Sequence, residues 1–284
     1  MKFSIFQESR IGGRPLNEDR LGYRYTSEAL VMVLADGLGG HGHGELAAET
    51  AVRSIIGTFD RQARPRLANP SHFLADAMAE AHTAILSQSG IRQLDDLPRT
   101  TCVTCVVQDG IACWAHAGDS RLYLLRQGQV TARTRDHSRV QALIDEGTLT
   151  AAGARSHPSR NILTSCLGSD QPPRFEFSEK MPLRFGDVVV LCSDGVWGPL
   201  PDDAALLALA QDDAVQAVPG LLDRIEIATG LGRDNLSLIL LAWSDTPRVA
   251  APATVAKTTS AWTDKDFNRT LNTTHLRLHV KENS

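Results

Sequence analysis

The 284-residue chain has no strong excess of charge of either sign: 29 Lys and Arg stand against 33 Asp and Glu, a formal net charge of -4. It therefore has no broad cationic field of the kind that a phosphate backbone or an anionic lipid surface requires. Neither nucleic acid nor a membrane is expected as a partner. Long apolar runs are missing as well, since no window approaches the roughly 18 uninterrupted apolar residues of a membrane span. Glu8 and Arg10 arrive before the apolar centre of a secretory signal could form. A cytoplasmic location is expected. Cysteine is scarce, and its five copies (Cys102, Cys105, Cys113, Cys166 and Cys192) lie in apolar surroundings. Cys102 and Cys105 spell C-x-x-C, but they fall in the alternating run TTCVTCVVQ, where residues three apart point to opposite sheet faces. With no second pair and no histidine at finger spacing, the thiols are expected to be reduced and to serve as small hydrophobes.

What is present supports a sizeable core: 42% of residues are hydrophobic and 22% charged. EDRLGYRYTSEALVMVLADG reads as two strands around a turn near Thr26 to Glu28, the second more deeply buried because it is continuously apolar. Leu46, Ala47, Ala48, Val52, Ile55, Ile56 and Phe59 then recur at helical spacing. A second helix, with Phe73, Leu74, Ala77, Met78, Ala81 and Ile85 on one face, is expected to start at a Ser71 cap. Strand signals cluster in TTCVTCVVQDG, IACWAHAGDS and RLYLLRQGQVTART, joined by Asp-Gly and Gly-Gln turns. A short helix at Ser138 to Gly147, an aperiodic flap at about 145–170, the strand DVVVLC, helices near Pro201 to Gln211 and Ala214 to Ile227, and the strand LSLILLAW follow. Strands grouped in the middle with helices before and after predict an α+β fold. A single domain is expected over 1–244. Beyond it the composition turns to Thr, Ala and Pro, so 245–284 reads as a flexible C-terminal tail ending in an alternating piece, Leu276, Leu278 and Val280, able to dock on a sheet edge or a partner.

Five acids sit beside glycine, serine, arginine or asparagine at the ends of strand-like segments: Asp19 in PLNEDR, Asp36 in LADGLGG, Asp119 in HAGDSR, Asp194 in CSDGVW and Asp234 in GRDNLS. A single Asp-Gly is an ordinary turn. Two of these are instead preceded by fully apolar runs that a surface hairpin does not need. Stacked sheets bring strand ends together along one rim, so acids remote in sequence can converge. Carboxylates gathered in one cleft repel unless cations lie between them. An all-oxygen donor set without a His/Cys cluster selects hard ions, Mg²⁺ or Mn²⁺. Glycine after the acid leaves room for carbonyls and waters.

These segments, together with TRDHSRVQALIDEG and HPSRNILTSCLG, resemble in order and spacing the successive motifs of the metal-dependent protein phosphatases of type 2C, in their bacterial single-domain form. The likeness runs from about Phe6 to Trp243. It implies a central antiparallel β-sandwich flanked by helices on both faces, a four-layer α-β-β-α arrangement with a flap, and hydrolysis of phosphoserine and phosphothreonine in proteins. Carried over by position, Asp36 would bridge two Mn²⁺ or Mg²⁺ ions, with the carbonyl of Gly37 on one of them. Asp194 and Asp234 would hold the other ion, assisted by Asp19 and Glu18, and Asp119 would contribute to a weaker third site. Arg14 matches the arginine that grips substrate phosphate, and His41 the histidine of the glycine loop that could act as proton donor, since Leu38 occupies the place after Asp-Gly where animal relatives carry one. Ser165 and Cys166 depart from the Arg-Ala common in the flap. The implied partners are phosphorylated proteins and a cognate Ser/Thr kinase, with the chain a monomer. The rival from another class is a catalytically silent phosphoprotein-binding module, which the complete set of acids disfavours. A second rival places the same hydrolysis in an anti-sigma regulatory cascade.

Overall fold

The computed structural model describes residues 1–39, 42–210, 214–230, 234–245 and 275–281. Two antiparallel sheets stack face to face. One contains, in spatial order, β12 (His275–Lys281), β1 (Phe3–Arg10), β11 (Leu236–Trp243), β10 (Val188–Cys192), β6 (Arg121–Arg126) and β7 (Gln129–Arg133). The other runs β2 (Asp19–Tyr25), β3 (Ala29–Asp36), β4 (Cys102–Gln108), β5 (Ile111–Ala117) and β8 (Glu176–Phe177), with the short β9 (Met181–Pro182) also on β5. Helices α1 (Gly44–Gln62) and α2 (Pro70–Arg92) cover the second sheet. The short α6 (Ala204–Leu207) and the longer α7 (Ala214–Thr229) cover the first. This is the four-layer arrangement.

The layering explains why the central strands are apolar on consecutive residues. In β3, Ala29, Val31, Val33 and Ala35 face α1 and α2, while Leu30, Met32 and Leu34 face the opposite sheet. With side chains alternating across the pleat, a strand covered on both faces must be apolar throughout. The same split occurs in β10, whose Val189 and Leu191 fill the sandwich while Val188, Val190 and Cys192 meet the α6–α7 layer. Cys102 and Cys105 lie in different cores, as their spacing within a strand requires.

Some local expectations change. The cap of α2 is Asn69, not Ser71: its Oδ1 accepts from the backbone N–H groups of Ser71 and His72 at 3.1 and 3.2 Å, and Pro70 opens the helix with its φ already set. Strand β1 escaped the pattern because its second half is Gln7, Glu8, Ser9 and Arg10, all buried. Arg10 there pairs with Glu8 at 2.8 Å and with Asp223 at 2.6 Å. The helix at Pro201 to Gln211 is shorter, a single α turn followed by a 3₁₀ turn at Ala208–Ala210. Of the tail, 275–281 pairs antiparallel with β1, from Arg10 opposite His275 to Ser4 opposite Lys281. Residues 246–274 and 282–284 lie outside the described residues.

Between β7 and β8 the chain leaves the sandwich as α3 (Arg139–Asp145), α4 (Ala151–Ala154) and irregular segments. Ser138 caps α3 by accepting from Gln141 N–H. Among the described residues no helix is long and apolar enough to cross a membrane.

Candidate metal centre

The antiparallel register places Asp19, the first residue of β2, directly across from Asp36, the last of β3. Asp194 follows β10 and opens the single-turn helix α5 (Asp194–Trp197). Asp119 occupies the β5–β6 turn and Asp234 lies just before β11. All five acids therefore stand at strand ends of the two sheets, on a common rim.

Their mutual influence is electrostatic. Burial, with the charges of Asp194 and Asp234 beside it, pushes the Asp19 carboxyl up to about 7 despite hydrogen bonds from Ser237 and Ser193. Asp194 rises to about 6, through burial and then Asp234. Asp36 is raised well above the usual carboxylate range by burial and by the charges of Asp19, Asp194, Asp119 and Asp234. Asp119 is raised by burial and then by Asp194 and Asp136. Burial and the charge of Glu45 likewise raise Glu18.

The donor set fits hard cations. Asp19 Oδ2 accepts from Ser193 Oγ at 2.9 Å, but its Oδ1 is buried with no hydrogen-bond partner. A buried orphan oxygen amid like charges is costly in a metal-free protein and is what an oxygen-ligated ion would satisfy. The glycines fit as well: a Cβ on Gly37 would lie 2.4 Å from the Gly44 carbonyl and one on Gly39 2.3 Å from a Glu18 carboxylate oxygen. The loop can approach the acids only because these positions carry no side chain.

Arg14 reaches the rim from the loop before β2. Its Nη2 meets Asp234 Oδ2 at 2.5 Å, and the side chain stays 53% exposed, leaving donors open to solvent. His41 and Gly40 lie outside the described residues. His43 starts α1 in a left-handed conformation (φ 59°).

Several supporting residues were not singled out from sequence. Asn235 donates to the carbonyls of Ile11 and Leu16 and accepts from Glu18 N–H at 2.9 Å, so it ties the Arg14-bearing loop to β11. Thr101 holds Asp36 from both sides: its backbone N–H donates to the Asp36 carbonyl and its Oγ1 accepts from Asp36 N–H. The GRDN spelling contained a signal for Asn235, because a buried asparagine after a strand-end acid usually serves backbone groups. For Thr101, 65 residues from Asp36, no local signal exists.

Comparison with known proteins agrees with this architecture. The family model described as Protein phosphatase 2C matches residues 7–217. The serine/threonine protein phosphatase PstP of Mycobacterium tuberculosis is 33% identical over 229 residues, 80% of this chain but 42% of PstP. The chain thus spans less than half the length of that relative. Protein phosphatase PhpP of Streptococcus pneumoniae is 30% identical over 258 residues, 86% of this chain and 98% of PhpP. A crystal structure of the PstP catalytic domain in complex with two manganese ions superposes with a TM-score of 0.69 at 28% identity, covering 85% of this chain and all of that one.

Proposed function

The chain belongs to the protein phosphatase 2C family, and from that premise we propose that it hydrolyses phosphoserine and phosphothreonine in proteins, reversing a cognate Ser/Thr kinase. The observation that carries the reading is the convergence of Asp19, Asp36, Asp119, Asp194 and Asp234 on one rim with Arg14 beside them. Residues 1–244 form the catalytic unit in this proposal, with the flap at about 145–170 inserted and 245–284 as an appended tail.

In this reading Asp36 and the Gly37 carbonyl, with Asp194 and Asp234, hold two Mn²⁺ or Mg²⁺ ions, while Asp19 and Glu18 assist and Asp119 serves a third. When bound, such ions lower the pKa of the water they hold and neutralise charge on the phosphoryl group. The chain's own residues do the rest. Arg14 offers a planar pair of donors to phosphate oxygens. Asn235 keeps the Arg14 loop against β11, and Thr101 keeps Asp36 at the strand tip, so the site is arranged before substrate arrives. No serine or cysteine nucleophile is needed, and the cysteines are buried.

The test is phosphate release from a phosphothreonine peptide by the full chain with Mn²⁺. Turnover is expected, and Asp36→Asn is expected to abolish it while leaving the protein folded. A folded parent with no turnover on several phosphopeptides and on p-nitrophenyl phosphate refutes the enzymatic reading.

A further inference from the structure

A second group of metal-ligating side chains lies outside the acid rim. His116 of β5, His137 just before α3 and Glu176 of β8 each offer one donor atom, and these atoms lie within 4.8 Å of one another. Two are buried orphans: His116 Nδ1 and His137 Nε2 have no hydrogen-bond partner. The rings are almost fully enclosed, His116 1% and His137 6% exposed, and they stack at 4.5 Å between centroids.

We propose that His116, His137 and Glu176 form a binding site for one zinc-class transition-metal ion that fastens both roots of the flap to the central sheet. The donor chemistry separates this site from the rim: two imidazoles and a carboxylate suit zinc, whereas the rim offers oxygens alone.

His116 is already arranged as a ligand. Its Nε2 lies 2.8 Å from the carbonyl of Arg135. A carbonyl only accepts, so Nε2 carries the proton and the Nδ1 lone pair is free, the orientation seen when a ligating histidine is held by a backbone carbonyl. Glu176 stands directly across the β5–β8 ladder from His116, and its Oε2 is 3.6 Å from His137 Nε2. The Glu176 side chain is 38% exposed, which gives it room to turn toward an ion and gives the ion a path inward.

His137 requires one adjustment. Its Nδ1 receives the Gly118 N–H at 3.4 Å, at the long end of a hydrogen bond. Ligation through Nε2 moves the ring proton to Nδ1, where it would face the Gly118 N–H, so the ring must also turn away from Gly118 and give up that weak contact, with no net change in protons. Burial, and then His116, push His137 down to about 4, so the ring is neutral at physiological pH. Tetrahedral zinc holds its donors about 3.3 Å apart and lies in the plane of each imidazole it binds, so closing the site requires His137 to swing out of its near-parallel stack on His116, the planes now 22° apart, as the donor atoms draw together.

The position explains what such an ion would do. His137 immediately precedes Ser138, the cap of α3, and Glu176 begins β8, so the excursion that carries the flap leaves the sandwich at one ligand and returns at another. His116 belongs to the sheet itself. An ion shared by the three cross-links these points and leaves the flap's middle free.

The test uses Co²⁺ as a spectroscopic stand-in, added to the chelator-stripped full chain saturated with Mg²⁺. A four-coordinate cobalt with imidazole ligands absorbs strongly in the visible, whereas six-coordinate cobalt among oxygens absorbs weakly. The expected result is a strong band that one equivalent of Zn²⁺ removes, that is lost in His116→Asn and His137→Gln, and that persists in Asp36→Asn. Glu176→Gln, on a two-residue strand, leaves the histidines in place and is expected to weaken cobalt binding about tenfold or more. Only weak absorption, a strong band that survives the histidine substitutions, or, should those variants not fold, full-affinity binding by Glu176→Gln overturns the proposal. Because the readout is the cobalt spectrum, it is independent of phosphatase activity.

Discussion

Trp197 donates its indole N–H to the backbone carbonyl of Asp119 at 3.0 Å, while the Arg121 guanidinium lies 3.4 Å over its ring. Arg121 is itself clamped by Asp136 through both carboxylate oxygens, at 2.8 and 2.7 Å. The acid between β5 and β6 is thus held through its main chain by an aromatic ring that a cation–π contact and a bidentate ion pair keep in place.

Trp197→Phe keeps an aromatic face beneath Arg121 and removes the donor together with the pyrrole part of the indole. We expect the Mn²⁺ concentration needed for half-maximal turnover to rise about tenfold, in the range typical of losing a ligand's supporting hydrogen bond. A titration of activity against Mn²⁺, with circular dichroism to confirm the fold, measures it. An unchanged requirement would show that the bond does not position Asp119.

Ions that neutralise the rim should stabilise the fold. Mn²⁺ at a hundredfold over its dissociation constant is expected to add about 2.7 kcal/mol by mass action, seen as a higher Tm than in chelator. Asp36→Asn removes one of the crowded charges. In chelator it should melt above the parent, and its response to Mn²⁺ should be smaller. A lower melting temperature for this variant in chelator would count against repulsion as the source of strain.

Two glycines give opposite expectations for the same change. A Cβ on Gly195 would lie 2.0 Å from the Asn235 carbonyl, whereas one on Gly90, near the end of α2, meets nothing within 4 Å. Gly195→Ala should cost about 2 kcal/mol or more and weaken metal binding, because backbone must move where Asn235 ties down the Arg14 loop. Gly90→Ala should be neutral or stabilise by up to about 1 kcal/mol. Urea unfolding of both variants tests the contrast.

The thiols provide a pH signature. Burial pushes Cys102 and Cys192 up to about 12, and Cys113 to about 11. A raised folded-state pKa means that the stabilisation is complete below the unfolded thiol's ordinary value, near 9, and is lost as pH rises from there toward 12. Ellman's reagent at pH 8 should find these three unreactive in the folded chain and reactive in denaturant. Prompt reaction in the native state would contradict their burial.

How far the sequence carried the reading depends on the range of the interaction. The β3 and β10 runs and the α1 and α2 faces were legible because burial on a strand or helix leaves a period, and Asp36 and Asp194 were legible because they close such runs. The α2 cap was displaced by two residues, since Asn69, Pro70 and Ser71 all carry N-terminal signals and only the geometry selects among them. Strand β1 was missed because its buried Gln7, Glu8, Ser9 and Arg10 break the apolar pattern, and the Asp223 that pairs with Arg10 lies far along the chain on α7. The meeting of His116 with His137 and Glu176 was invisible for the same reason: it needs the β5–β8 register and the path of the flap, which no local pattern encodes.

The place of β1 between β11 and β12 has a consequence for biosynthesis. Residues 3–10 are synthesised long before their partners, 236–243 and 275–281. The sheet of β2 to β5 can assemble from neighbouring hairpins while translation continues, whereas β1 must wait, its backbone donors and acceptors without strand partners, until β11 has been made. β1 therefore stays an unpaired strand through the synthesis of the whole second sheet, and its pairing is timed first by the arrival of β11 and then by that of β12.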